Sequence, residues 1–242
     1  MKNTLILILA IGLSHITLAK PKHASLELKV EDIMSMGIFK SITITHTSSN
    51  KSYTEGPSFG EKECNFQNLP LGDYKLSCKT GFGKSYPYKG LIQIKKNKKY
   101  KLQISYSEIF NVKESINLNL FNATNKRVVI WVESRIKHSY HQKEILQFFL
   151  KGSNEVGGRF YHNPEIGESQ TKSFAKQMPI AQARTLIHQF EVKAKAIGND
   201  NTWTKSYSAA AIIIGNEMVV LHYSWAYNQE SPFEELIKQL KF

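Results

Sequence analysis

The chain has 242 residues and carries 32 Lys and Arg against 20 Asp and Glu, a formal net charge of +12, with 41% hydrophobic residues. That length suits two β domains of ordinary size. The basic balance favours anionic partners. Beyond the N-terminus no segment is long and apolar enough to span a bilayer, which excludes a helical integral membrane protein.

Residues 1–19, MKNTLILILAIGLSHITLA, join one Lys to an apolar run and end on small residues. They read as a secretory signal peptide cleaved after Ala19. The apolar run, residues 5–13, falls short of the roughly 20 needed to cross a membrane, and Ser14 and His15 interrupt it. The mature product is expected outside the cytoplasm, secreted or periplasmic. Export argues against a nucleic-acid partner and leaves anionic glycan, an acidic lipid surface or a host protein.

Residues 25–31 alternate with Leu26, Leu28 and Val30 on one face, and residues 40–46 repeat the pattern with Ile42 and Ile44. A polar loop with two Gly and one Pro follows over 47–60. The stretch 63–83, ECNFQNLPLGDYKLSCKTGFG, reads as two strands of a hairpin about a Leu-Pro-Leu-Gly-Asp corner, with Phe66, Tyr74 and Leu76 inward and a cysteine on each arm. In an oxidising compartment such a pair predicts a Cys64–Cys78 disulfide. The alternatives are free thiols or a metal site, and no CxxC spacing or Cys–His cluster supports a metal. Residues 90–94 and 99–106 form a further strand pair turned over by KKNK.

About six strands with frequent turns argue for a sandwich over residues 20–108. The run Asn68-Leu69-Pro70-Leu71-Gly72-Asp73-Tyr74, followed by a Gly-containing segment and a closing pair with a Lys-rich turn, resembles the transthyretin-like and carboxypeptidase-regulatory-like β-sandwich modules. Position 71 is Leu where that corner often has a second Pro. The resemblance covers residues 25–106 at most and implies an accessory, non-catalytic module.

A boundary is expected near residues 108–113, so residues 109–242 form the second domain. Residues 114–134 give two alternating strands about an Asn-Ala-Thr-Asn turn. Val128, Ile130 and Val132 share one face, and Val129, Trp131 and Glu133 the other, which predicts a central strand buried on both sides or a Trp exposed for binding. Residues 135–153 are ambiguous between helix and strand, and 151–171 read as a long loop. Residues 185–197 alternate over Phe190, Val192, Ala194 and Ala196 and read as a strand. Gly215-Asn216 is a hairpin turn between 202–214 and 217–227. At the C-terminus Ser231, Pro232 and Glu234 supply an N-cap, a first helical residue and a capping box, and Phe233, Leu236, Ile237 and Leu240 an apolar stripe. The expected fold class is mainly all-β: two antiparallel β-sandwich domains in tandem with a short C-terminal α-helix.

Three groups of side chains are candidates for function. Lys95, Lys96, Lys98 and Lys99 concentrate four charges at one hairpin tip and suit an anionic surface, or they solvate the turn and discourage edge aggregation. Trp131, Trp203, Trp225, Tyr207, Tyr223 and Tyr227 crowd the second domain, whose aromatic end resembles the small β-sandwich cytolysins of the aegerolysin and actinoporin type. Core packing is the competing account of those rings. His138, His141 and Glu144 have zinc-ligand spacing on a helix but no HExxH, and on a strand they would not share a face. No cofactor is expected, and no Gly-x-Ser-x-Gly elbow or lone nucleophilic cysteine is present. The leading expectation is a bacterial exported, non-enzymatic binding protein that recognises an external or host surface. A membrane-active, pore-forming-like toxin and a secreted hydrolase are the alternatives.

Overall fold

The computed structural model describes residues 23–30, 39–56, 63–80, 84–136, 140–164, 170–198, 205–226 and 229–240. The protein is mainly β, with a short C-terminal helix as expected.

Strands β1 (Ala24–Val30), β4 (Glu63–Leu69) and β8 (Lys99–Ile104) form a three-stranded sheet in the order β4-β1-β8. Facing it are β2 (Phe39–His46), β3 (Ser52–Glu55), β5 (Gly72–Thr80) and β6 (Ser85–Pro87) in the order β3-β2-β5-β6, with β7 (Ile92–Ile94) also on β5. Their alternate side chains meet in one core: Leu26, Leu28, Cys64 and Phe66 from the first sheet, Ile42, Ile44, Tyr74, Leu76 and Cys78 from the second.

Two expected hairpins are corrected. β4 pairs with β1, and β5 with β2, so the cysteine-bearing stretch crosses from one sheet to the other. The corner between them is built for that step. Asn68 is left-handed at φ 55°, Gly72 has φ 147°, and the Tyr74 hydroxyl donates to the Pro70 carbonyl at 2.7 Å. His46 seals it: its Nε2 lies 3.2 Å from the Leu71 carbonyl, and a Cβ on Gly72 would fall 2.1 Å from the same nitrogen. The Lys-rich turn likewise crosses between sheets, because β8 runs parallel to β1 while β7 is antiparallel to β5. Lys99 and Lys101 of β8 both pair with Glu27 of β1, the latter at 2.9 Å, which favours this parallel register.

Residues 106–108 form a 3₁₀ turn with its own capping box, after which Ile109 and Phe110 return to the first core. Phe110 lies against Tyr86 with ring centroids 4.5 Å apart. Then comes a seven-stranded sheet made of β9 (Asn111–Val112), β10 (Arg127–Ile136), β11 (Tyr140–Lys151), β12 (Glu155–Pro164), β13 (Gln170–Pro179), β14 (Lys205–Ile214) and β15 (Glu217–Ala226), in the order β13-β12-β11-β10-β14-β15-β9. Helices α1 (Ile180–Ile197) and α2 (Pro232–Leu240) complete the chain. One face of this sheet is covered by the helices, not by a second sheet. Its core holds Val128, Ile130, Val132, Leu146, Phe148 and Tyr223 with Phe190, Phe233 and Leu236. The other face joins the first core through Val129, Trp131, Ala209, Ala211, Ile213 and Met218. β10 is thus the doubly buried central strand.

Residues 185–197, read as a strand, belong to α1. Ala183, Leu186, Ile187, Phe190, Glu191 and Ala194 bury on a three-and-four spacing, whereas Val192 is 49% exposed. Phe190 and Ala194 fit both periods, which made the alternation misleading. Glu191 is held by Lys195 at 2.7 Å and accepts the Ile116 N–H at 3.3 Å. α2 carries the predicted box: Glu234 N–H donates to Ser231 Oγ at 3.1 Å, and Ser231 N–H to Glu234 Oε2 at 3.0 Å. Among the described residues no helix is long and apolar enough to cross a membrane.

Candidate anion-binding cleft

A cleft of about 570 Å³ opens where the two-sheet unit meets one end of the seven-stranded sheet. Lys84 and Tyr86 enter it from the start of β6, Thr124, Asn125 and Lys126 from the turn before β10, and Arg127 and Val129 from β10 itself. Phe149 and Leu150 come from the end of β11, and Ile213 and Gly215 from the last hairpin. None of these lining residues is acidic. Lys84, Lys126 and Arg127 are exposed around the mouth, while Tyr86, Val129 and Ile213 are buried beneath it.

Local structure fixes the cations in place. Asn122 Oδ1 accepts the Thr124 and Asn125 N–H groups at 2.9 and 3.3 Å, forming the turn that delivers Lys126 and Arg127. Arg127 and Phe149 are register partners on β10 and β11, and the guanidinium carbon lies 4.8 Å over the Phe149 ring. Lys84 Nζ donates to the Gly215 carbonyl at 2.9 Å and sits 5.0 Å from the Tyr86 ring centroid. Gly215 has φ 60°, and a Cβ there would come within 2.8 Å of Asn125 Oδ1, so the hairpin tip approaches the cleft only as glycine. Partial burial lowers the Lys84 pKa, and the Arg127 charge lowers it further. Burial raises that of Tyr86.

The residues singled out from sequence fall elsewhere. Lys95, Lys96, Lys98 and Lys99 are exposed, but they do not act as one free group. Lys99 pairs with Glu27, and Lys98 lies 5.0 Å over the Tyr100 ring. The Tyr100 hydroxyl in turn accepts the Lys95 and Lys96 backbone N–H groups, both at 2.9 Å. Trp131 (2% exposed) and Trp225 (6%) are core residues on opposite faces of the sheet, so neither offers a ring to a ligand. Lys143 Nζ covers the Trp131 ring at 4.2 Å, and Tyr223 lies 5.8 Å from Trp225. Tyr223 is fully buried, and Tyr207 shares a hydrogen bond with His222 at 3.2 Å. Trp203, Tyr227 and His138 lie outside the described residues.

Glu144 lies on β11, and the side chain of His141 on the same strand lies outside the described residues. Glu144 is 3.1 Å from Nδ1 of His162, its partner on β12. Among the described residues no group of three metal-ligating side chains converges. Cys64 and Cys78 are free, buried thiols on strands of different sheets, so the hairpin geometry expected for their bridge is absent. Burial, then the Glu55 charge, raises the Cys64 pKa to about 11; burial, then Cys64, raises that of Cys78 to about 12.

Sequence reasoning missed Lys84, Lys126, Arg127 and Phe149. The only local signal was the Lys-Arg pair beside the Asn-Ala-Thr-Asn turn, and nothing in it named Lys84 or Phe149 as neighbours.

No family model matches the sequence, and no curated protein is similar to it. Among solved structures, the chain is similar to a DUF3823 family protein from Bacteroides ovatus ATCC 8483, at 12% identity over 85% of this chain and 100% of that one, with a TM-score of 0.29. It is also similar to SGBP-B of the Bacteroides ovatus mixed-linkage glucan utilization locus, in complex with a mixed-linkage heptasaccharide, at 11% identity over 82% of this chain and 52% of that one, with a TM-score of 0.17. The chain spans about half the length of SGBP-B. At these scores neither likeness bears on what the chain does.

Proposed function

We propose that this chain is an exported, non-enzymatic binding protein that holds an anionic ligand at the junction of its two sheet systems. The reading rests on one observation: Lys84, Lys126 and Arg127 ring a cleft of about 570 Å³, and among the described residues its lining holds no carboxylate. That volume lies within the roughly 300–1,000 Å³ of small-molecule sites, which favour domain junctions. Export rests on residues 1–19, which lie outside the described residues. In this reading the two-sheet unit is a transthyretin-like module that supplies one wall. Two facing sheets and the Pro70–Tyr74 corner support that assignment. The ligand can be free or carried on an external or host surface.

The test compares the mature protein with a Lys126→Gln/Arg127→Gln variant against heparin, polygalacturonate and phosphatidylserine liposomes. Charge-assisted contacts contribute about 1.5–3 kcal/mol each, so binding to at least one probe is expected to weaken at least tenfold. Equal binding by the two proteins to every probe would overturn the cleft as the site.

A further inference from the structure

The cleft divides into a charged mouth and a carbon floor, and that division narrows the ligand. Its three cations are exposed, whereas Tyr86, Val129 and Ile213 below them belong to the hydrophobic core shared by both sheet systems. Phe149 is half-buried and forms the accessible apolar wall, while Leu150, the next residue of β11, packs its side chain on the helix side of the sheet. Among the described lining residues the uncharged polar side chains are Thr124 and Asn125, in one turn at the edge, and Tyr86, whose hydroxyl belongs to the buried floor. Asn125 is also close against Gly215.

A polyhydroxylated sugar needs directional donors and acceptors along its length, because polar groups that enter a site without partners cost binding free energy. Apart from the Tyr86 hydroxyl, the floor supplies carbon instead. Arg127 is laid over the Phe149 ring; a guanidinium suits an oxyanion, and an aromatic ring suits an apolar body. From this arrangement we infer that the ligand is a small amphiphilic anion: a carboxylate, sulfonate or phosphate head among Lys84, Lys126 and Arg127, with an acyl or aromatic body along Phe149. The inference rests on the proposed function and specifies its ligand.

Equilibrium dialysis of the mature protein against dodecanoate, held below its micelle concentration, and against glucuronate separates the two levels. Both probes carry one carboxylate, and only dodecanoate has an apolar body. Dodecanoate is expected to bind at least tenfold more tightly than glucuronate at physiological salt. Lys126→Gln/Arg127→Gln should weaken dodecanoate at least tenfold, and Lys126→Arg/Arg127→Lys should restore most of it. Phe149→Ser should weaken dodecanoate by a clearly larger factor than glucuronate. Near-UV circular dichroism checks that each variant keeps the parent fold, and the charge-retaining pair keeps the test decisive if Phe149→Ser does not.

If glucuronate binds as tightly as dodecanoate and both need Lys126 and Arg127, the amphiphile inference falls and the anion-binding function stands. If dodecanoate binds the parent and the Gln variant equally, or fails to bind the parent, the inference falls. The polyanion comparison then decides whether the cleft binds anions at all.

Discussion

Lys84 Nζ donates to the carbonyl oxygen of Gly215 at 2.9 Å, joining residues 131 positions apart. The bond ties the two-sheet unit to the tip of the last hairpin beside the cleft. Lys84→Gln should remove it without disturbing a buried side chain. A charged hydrogen bond contributes about 1.5–3 kcal/mol when sheltered, and exposure reduces this one to about 1 kcal/mol. The melting temperature is expected to fall by roughly 2–4 °C. An unchanged melting temperature would show that the two parts are held by apolar contact alone.

Apolar contact is substantial there. Trp131 is 2% exposed and extends from the central strand into the core shared with the two-sheet unit. Trp131→Ala should cost about 3–5 kcal/mol, read as a lower urea midpoint. A Trp serving mainly as a ligand platform would leave the midpoint nearly unchanged.

The two cysteines give a pH and reactivity prediction. Their folded pKa values, about 11 and about 12, lie above the ordinary thiol value of 9.0. Folding therefore favours the protonated thiols, a contribution fully present below pH 9 and lost as pH rises through the folded values. Stability should decline on the alkaline side, and Cys64→Ala/Cys78→Ala should flatten that decline. At pH 8 a maleimide should label neither thiol in the native protein and both after unfolding in urea. Absence of label after unfolding, restored by a reductant, would mean that exported protein carries the bridge after all.

Glu27 holds Lys99 and Lys101 on the outer surface of the first sheet. Glu27→Gln removes one negative charge from the midst of the Lys95–Lys101 group. Retention on heparin should rise, seen as a higher salt concentration at elution, because the attraction acts over roughly 8 Å at physiological salt. Equal or earlier elution would mean that this surface contributes nothing to anion binding.

The sequence carried faces more clearly than partners. Apolar groups on both faces of the run Val128, Val129, Ile130, Trp131 and Val132 left a strand buried on both sides or a Trp exposed for binding, of which the structure has the first, and Ser231, Pro232 and Glu234 marked the start of α2. It did not say that β4 and β5 separate onto opposite sheets, because a strand that buries every second residue looks the same beside any neighbour. Nor did it distinguish helix from strand where Phe190 and Ala194 satisfied both spacings. The cleft was least legible. Arg127 meets Phe149 only through the β10–β11 register, and Lys84 reaches Gly215 only because both sheet systems share a core.

The position of β1 has a consequence for how the chain folds. β1 lies between β4 and β8, with parallel pairing on the β8 side, so the first sheet cannot close until Ile104 is available. β9, reached soon after, finds its partner only in β15, near the end of the chain. Long-range pairing of this kind is slow, since loop closure precedes any stabilising contact. The two-sheet unit can therefore form early, with Trp131's side of its core still open. The last hairpin both completes the large sheet and, by bringing Gly215 to Lys84, finishes the cleft. Ligand binding thus reports on complete folding, and a chain lacking β15 would retain most of its β structure while losing the site.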